Sequence, residues 1–169
     1  MNRYICILIF ALGMLHGGVQ LAIAPLFQSH TTAATIYAYN AALTRGASHE
    51  IARCFAYAYA KASPTKVSPE LAASVAAVES DFTPKAKSVK GAIGVMQVMP
   101  RAWNTTATKM LQIEPNIVKG IGILDYNIKR FGLAGGLHAY NLGSGDYTRG
   151  RRNYKYVANV LTAVVQKAG

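Results

Sequence analysis

Val78-Glu79-Ser80-Asp81-Phe82, followed after a basic stretch by Gly91-Ala92-Ile93-Gly94-Val95-Met96-Gln97-Val98-Met99-Pro100, sets an acidic residue at the end of a helix in front of a glycine-bracketed loop. The helix announces its own start. Ser68 offers a capping hydroxyl, Pro69 suits a first turn that needs no N–H, and Glu70 sits near the positive end of the helix dipole. At about 100° per residue, Leu71, Val75, Val78 and Phe82 fall within about 60° of one another, which makes a narrow apolar stripe. Glu79 lies roughly 40° beyond one edge of that stripe and Asp81 emerges at the opposite edge, so the two cannot form a facing carboxylate pair on this helix. Pro84 should stop the helix near Thr83. An isolated carboxylate on the rim of an apolar face is a candidate for a raised pKa and for general acid work, the plain alternative being a solvated glutamate near a helix end.

The flanking sequence reads as further short helices. Thr32 to Thr44 carries Ile36, Tyr39, Asn40 and Leu43 at helical spacing and closes at Gly46. Ser48 can cap the next helix, where Ile51, Cys54, Phe55, Ala58 and Ala62 recur at steps of three and four up to Ser63-Pro64. Tyr57 and Tyr59 read as half-buried packing residues. Pro100 fits the first turn of a helix with Trp103, Ala107, Met110 and Leu111 on one face, which Glu114-Pro115 would break. Asn116 can cap a helix through Ile117, Ile121, Leu124, Ile128 and Phe131, ended by Gly132. A short helix over 134–141 leads into Gly143-Ser144-Gly145, and a last one from about Arg152 would turn Tyr154, Val157, Leu161 and Val164 inward. No stretch alternates with period two. The expectation is a mainly α, compact single domain of short helices with little or no sheet.

The chain has 169 residues, enough for one sizeable core, and only seven Asp and Glu against 18 Lys and Arg, for a formal charge of +11. Such a balance favours polyanionic partners, whether nucleic acid, anionic membrane or cell wall. No basic residues interleave with the tyrosines as a single-stranded nucleic-acid platform would need, and no nucleic-acid motif stands out. The opening residues, with Arg3 and an apolar run to Leu15, have the profile of an export signal. Ala22-Ile23-Ala24 offers a cleavage site, with Pro25 an awkward residue just beyond it. A cleaved signal over 1–24 and an uncleaved anchor both put the domain outside the cytoplasm, in the periplasm or cell envelope. Residues 25–47 then read as a linker and an extra N-terminal helix, and 48–169 as the main domain. The two cysteines, Cys6 and Cys54, fall on either side of that cleavage, so Cys54 is expected as a small buried residue rather than half of a bridge. The four His are scattered, and neither a metal nor any other cofactor is expected.

Several separated motifs agree with one another. Glu79-Ser80, Ser88 nine positions on, Gly91-x-x-Gly94-Val-Met-Gln97-Val-Met99-Pro100, Asn116-Ile117-x-x-Gly120 and Ala139-Tyr140-Asn141-x-Gly143 occur in this order. Together, from about Pro69 to Val164, they resemble the soluble-type lytic transglycosylase family, goose-lysozyme-like enzymes that cut the glycan strands of bacterial peptidoglycan. The resemblance implies a lysozyme-like fold and a single acid/base, Glu79, acting at the bond between N-acetylmuramic acid and N-acetylglucosamine to leave a 1,6-anhydro ring. It implies substrate contacts by Ser88, Gln97, Tyr140, Asn141 and Tyr156, with Met96 and Met99 as apolar walls. On the residues alone the two methionines suit a core as well as a cleft, and Tyr154 competes with Tyr156. Ser80 projects away from Glu79 and reads as structural, and His138 as helix surface.

A conventional glycosidase uses two carboxylates. Near the motifs only Asp81 and Asp146 are available, and Asp81 points away on the wheel. One carboxylate favours internal attack by the substrate's own hydroxyl, while hydrolysis through Asp146, a muramidase activity, is the alternative chemistry. A non-catalytic wall-binding assembly factor is the alternative of another class. Val95 and Ile123 depart from the family pattern by apolar exchange only. Arg149, Arg151, Arg152 and Lys155 make the segment before the last helix strongly basic, which suits stem-peptide carboxylates, an anionic membrane or simply a solvated face. The small size fits local wall opening in a secretion, conjugation or phage system.

Overall fold

The computed structural model describes residues 32–62 and 65–165; the export segment, Cys6, Pro25 and the Ser63-Pro64 stop lie outside the described residues. The chain folds as α1 (Thr32–Leu43), α2 (His49–Ala62), α3 (Pro69–Ser80), a 3₁₀ turn (Pro100–Trp103), α4 (Ala107–Met110), α5 (Ile113–Leu142), α6 (Ser144–Thr148) and α7 (Tyr154–Val165). There is no strand among the described residues, only isolated bridges pairing Ile93 with Lys87 and with Val98. The mainly α expectation is met.

Capping residues act as their chemistry dictates. Ser68 Oγ accepts the N–H of Leu71, and Ser48 Oγ that of Ile51. α3 ends at Asp81, whose φ of 49° and ψ of 46° are left-handed, and Phe82 follows with φ 55°. Phe82 then folds back under the helix, 3% exposed, with its ring edge-on to Phe55 of α2 at 6.0 Å. The narrow stripe expected on α3 is wider in fact: Leu71 through Val75 and Ala76 are all buried. Alanines at 72, 73 and 76 let neighbours close in on two sides, α1 on one and α7 on the other.

α1 is part of the same core, with Ala38, Ala41 and Ala42 buried in it. Arg45, just beyond α1, binds it to the rest. Its guanidinium donates to Ser74 Oγ on α3 and to the carbonyls of Ala41, Ala163 and Val164, so it satisfies the exposed carbonyl ends of α1 and α7 together.

Three helix readings need correction. The segment after Pro100 is not one helix: Asn104 adopts a left-handed conformation (φ 47°) and splits it into the 3₁₀ turn and α4. Asn116 does not cap α5, which begins at Ile113 with Pro115 tolerated in its first turn; the Asn116 side chain is buried and used elsewhere. Gly132 breaks the helix as expected (φ 72°, ψ 176°), and the second half of α5 turns back until Gly136 lies on the backbone of Ile128, where an added Cβ would approach to 2.8 Å. α7 is rotated relative to expectation. Tyr156, Val157 and Val160 are buried, while Tyr154 is 73% exposed and Leu161 lies at the surface. His138 is likewise buried, not on a helix surface.

Candidate active site

Glu79 sits in the last turn of α3, half-buried, where the chain leaves the helix through Asp81. From α7, Tyr156 donates its hydroxyl to Glu79 Oε1 at 2.7 Å. Loss of water raises the Glu79 pKa from 4.5 to about 7, and the Tyr156 hydrogen bond, which favours the charged form, only partly opposes this. Burial and then the neighbouring carboxylate push both Tyr156 and Tyr140 well above the usual tyrosine range, so both phenols stay protonated as donors.

The other six acids are accounted for elsewhere. Glu114 pairs with Lys61, Asp125 with Lys129, and Asp146 with Arg149 and Arg151. Glu50 and Glu70 lie in the first turns of α2 and α3. Asp81 is exposed, and its Oδ1 lies 3.8 Å from the Cβ position of Gly46, on the α1 side.

The glycine-bracketed loop is clamped from α3 and from both halves of α5. Ser80 Oγ donates to the Val95 carbonyl at 2.7 Å from α3, and Tyr140 donates to the Met96 carbonyl at 2.7 Å from the second half of α5. From its first half, the Asn116 amide accepts the Met96 N–H at 2.7 Å and donates to the carbonyls of Ile93 and Met110. Gly94 lies so close to that amide that a Cβ would fall 2.5 Å from Asn116 Nδ2, and its φ of 78° also requires glycine. Gln97, itself left-handed at φ 45°, donates from Nε2 to the carbonyls of Gly94 and Ala86.

The expected site residues divide accordingly. Glu79, Tyr140 and Tyr156 come together, and exposed Tyr154 is out of contention. Met96 is a correction: its side chain is 0% exposed and packs on Gly120, so it walls no cleft and contributes its backbone instead. Met99 is 37% exposed, as a wall would be. Ser88 is exposed and accepts the N–H of Ala92 within its own turn. Asn141 is exposed, and its Oδ1 accepts from Asn153 Nδ2 at 2.8 Å. Asn153 was missed by sequence reasoning. Its side chain accepts the Tyr156 N–H at 3.1 Å, and its own N–H is accepted by His138 Nδ1 at 3.0 Å, so it fixes the start of α7 and with it the tyrosine. An asparagine just before an apolar-periodic run is a cap signal that would have found it.

The sequence profile described as the transglycosylase SLT domain matches residues 56–160, more than half of the chain. The chain belongs to that family. The matched span of the SLT domain contains every one of the residues around Glu79 and its loop. Among solved structures, the SLT domain is similar to the 70 kDa soluble lytic transglycosylase of Escherichia coli, with 22% identity and a TM-score of 0.48 over 78% of this chain and 26% of that one. The chain thus spans about a quarter of that enzyme's length. Comparison with curated protein sequences finds no match.

Among the described residues, no group of His, Cys, Asp and Glu gathers as a metal site, and no helix is long and apolar enough to cross a membrane.

Proposed function

We propose that this protein is an exported lytic transglycosylase that cleaves the β-1,4 bond between N-acetylmuramic acid and N-acetylglucosamine, with Glu79 as its only acid/base. The observation that carries the proposal is the Glu79 carboxyl, raised to about 7 and hydrogen-bonded to Tyr156, while Glu114, Asp125 and Asp146 are held in ion pairs.

A carboxyl with a pKa near neutrality is protonated often enough to act as an acid and is still a competent base once deprotonated. Protonated Glu79 gives its proton to the glycosidic oxygen as the bond to C1 breaks, and the electron pair leaves with that oxygen. The carboxylate so formed stabilises the positive charge growing at C1. It then takes the proton of the muramoyl 6-hydroxyl while O6 bonds to C1, closing the 1,6-anhydro ring and restoring the starting acid. No water and no second carboxylate enter. Internal attack needs positioning above all, because the nucleophile is already tethered to the reacting sugar. Asp146 is poorly suited to activating water, since two arginines already hold it in its charged form.

Within this reading Tyr156 orients the acid, Tyr140 and Ser80 fix the loop, and Ser88, Gln97, Met99 and Asn141 contact the glycan. Export by residues 1–24, the domain spanning 48–169, action in the periplasm or envelope, and local wall opening for a secretion, conjugation or phage system belong to the same proposal. Digestion of purified sacculi with wild type and with Glu79→Gln tests it. Soluble anhydro-ended muropeptides released by wild type alone support the reading. Reducing ends would make the protein a hydrolase, and no release by wild type would favour a wall-binding factor.

A further inference from the structure

A second concave site lies beside the catalytic loop on the same helix. Along the first half of α5, Asn116 and Gly120 face the loop, whereas Lys119, Gly122 and Tyr126 follow at steps of three and four on the adjoining face. That face, together with Trp103, Asn104 and Lys109, lines a groove of about 390 Å³, a volume within the range of small-ligand sites. None of these six residues belongs to the cluster around Glu79.

The lining has a definite chemistry. Trp103 rests on the core, with Tyr126 edge-on to it at 6.0 Å and 47% exposed. Two amphipathic rings thus form a wall of the kind that takes the apolar face of a sugar. Asn104, held left-handed at φ 47° after the 3₁₀ turn, sets an exposed amide at the rim. Both charged residues of the lining, Lys109 and Lys119, are cationic, and no carboxylate is among them. Gly122 leaves the floor open: a Cβ built on it meets nothing within 4 Å, although its helical backbone would accept any side chain.

We propose that this groove is an accessory site for a muramoyl-peptide unit of peptidoglycan, the sugar ring against Trp103 and Tyr126 and the stem-peptide carboxylates against Lys109 and Lys119. The inference rests on the glycan-cleaving reading for the identity of the polymer. A site one helix face away from the catalytic loop holds the strand to the domain. It raises residence on the wall and leaves the bond-breaking step alone.

Trp103 is the only tryptophan in the chain, so its fluorescence reports on the groove. Glu79→Gln, which keeps the glycan intact, is titrated with a soluble disaccharide-peptide muropeptide and, in a second arm, with the peptide-free disaccharide. The same titrations are run with Gly122→Leu added, which puts a larger side chain into the groove floor at a position where a Cβ meets nothing within 4 Å. Wild type and Gly122→Leu are compared separately for turnover of a short soluble glycan and of sacculi.

A saturable tryptophan change with the muropeptide supports the site if it binds about tenfold more weakly without the peptide and is lost with Gly122→Leu. So does slowed sacculus turnover by Gly122→Leu with short-glycan turnover unchanged. No tryptophan change, or one that survives Gly122→Leu, overturns the groove even if wild type cleaves sacculi normally. Wild type that cleaves nothing overturns the enzymatic reading, and the fluorescence result still decides the groove.

Discussion

Tyr156 donates a 2.7 Å hydrogen bond to Glu79 across 77 positions of sequence, joining the start of α7 to the end of α3. The bond has a direction in energy as well as in space. It favours the carboxylate, whereas burial favours the neutral acid by more, and the outcome is a pKa of about 7.

Removing that hydroxyl should therefore move the acid further from its ordinary value. In Tyr156→Phe the Glu79 pKa rises above 7, and the alkaline limb of kcat/KM, where the acid is lost, shifts to higher pH. The rate at the plateau falls by about tenfold or more, because the acid is no longer oriented. A pH profile of muropeptide release measures both. An unshifted limb would mean that Tyr156 does not touch the acid in the working enzyme.

The same carboxyl should leave a mark on stability. Its folded pKa of about 7 exceeds 4.5, so its contribution is fully favourable below 4.5 and is lost as pH rises through 7. The difference amounts to about 3 kcal/mol on the alkaline side. Glu79→Gln should thus gain on wild type in melting temperature between pH 5 and pH 8.5. A constant difference across that range would contradict the buried acid.

His138 works in the opposite sense. Its Nδ1 accepts the Asn153 N–H and so must be unprotonated there; burial first, and Arg152 second, lower its pKa. Tyr147 and Tyr154 flank the ring. The contribution of neutral His138 is complete above about 6.5 and is lost as pH falls through the depressed folded value. His138→Gln should flatten the acid side of the thermal stability profile, measured by melting temperature from pH 7 to pH 4.5.

Asn116 holds three backbone groups from two segments, at Met96, Ile93 and Met110, in the dry interior. Asn116→Ala strands all three and should cost about 3 kcal/mol or more in denaturant unfolding. Asn116→Asp keeps the acceptor for Met96 but not the donors, and should fall between.

The helices were legible because local rules decide them: Ser68 and Pro69 start α3, Gly132 breaks α5, and Ser48 starts α2. Glu79 was legible from motif order and from its scarcity. What escaped were roles set by tertiary contacts. The rotation of α7 depends on Tyr156 reaching Glu79, so a wheel drawn on α7 alone chose Tyr154 and Leu161. Met96 reads equally well as a wall or as core until Gly120 is found against it. Asn116 looks like a cap in the sequence because its neighbours resemble a helix start, but the Ile93 carbonyl and the Met96 N–H it serves come from about 20 residues earlier, in the loop it clamps.

The central claim is that the substrate, not water, supplies the nucleophile. Digestion of sacculi in water enriched in heavy oxygen, with mass spectrometry of the new muramoyl ends, tests it most directly. The account predicts anhydro ends that carry no label at any stage of the digest and that disappear with Glu79→Gln. Reducing ends labelled at C1 by wild type would show water attacking and would contradict it.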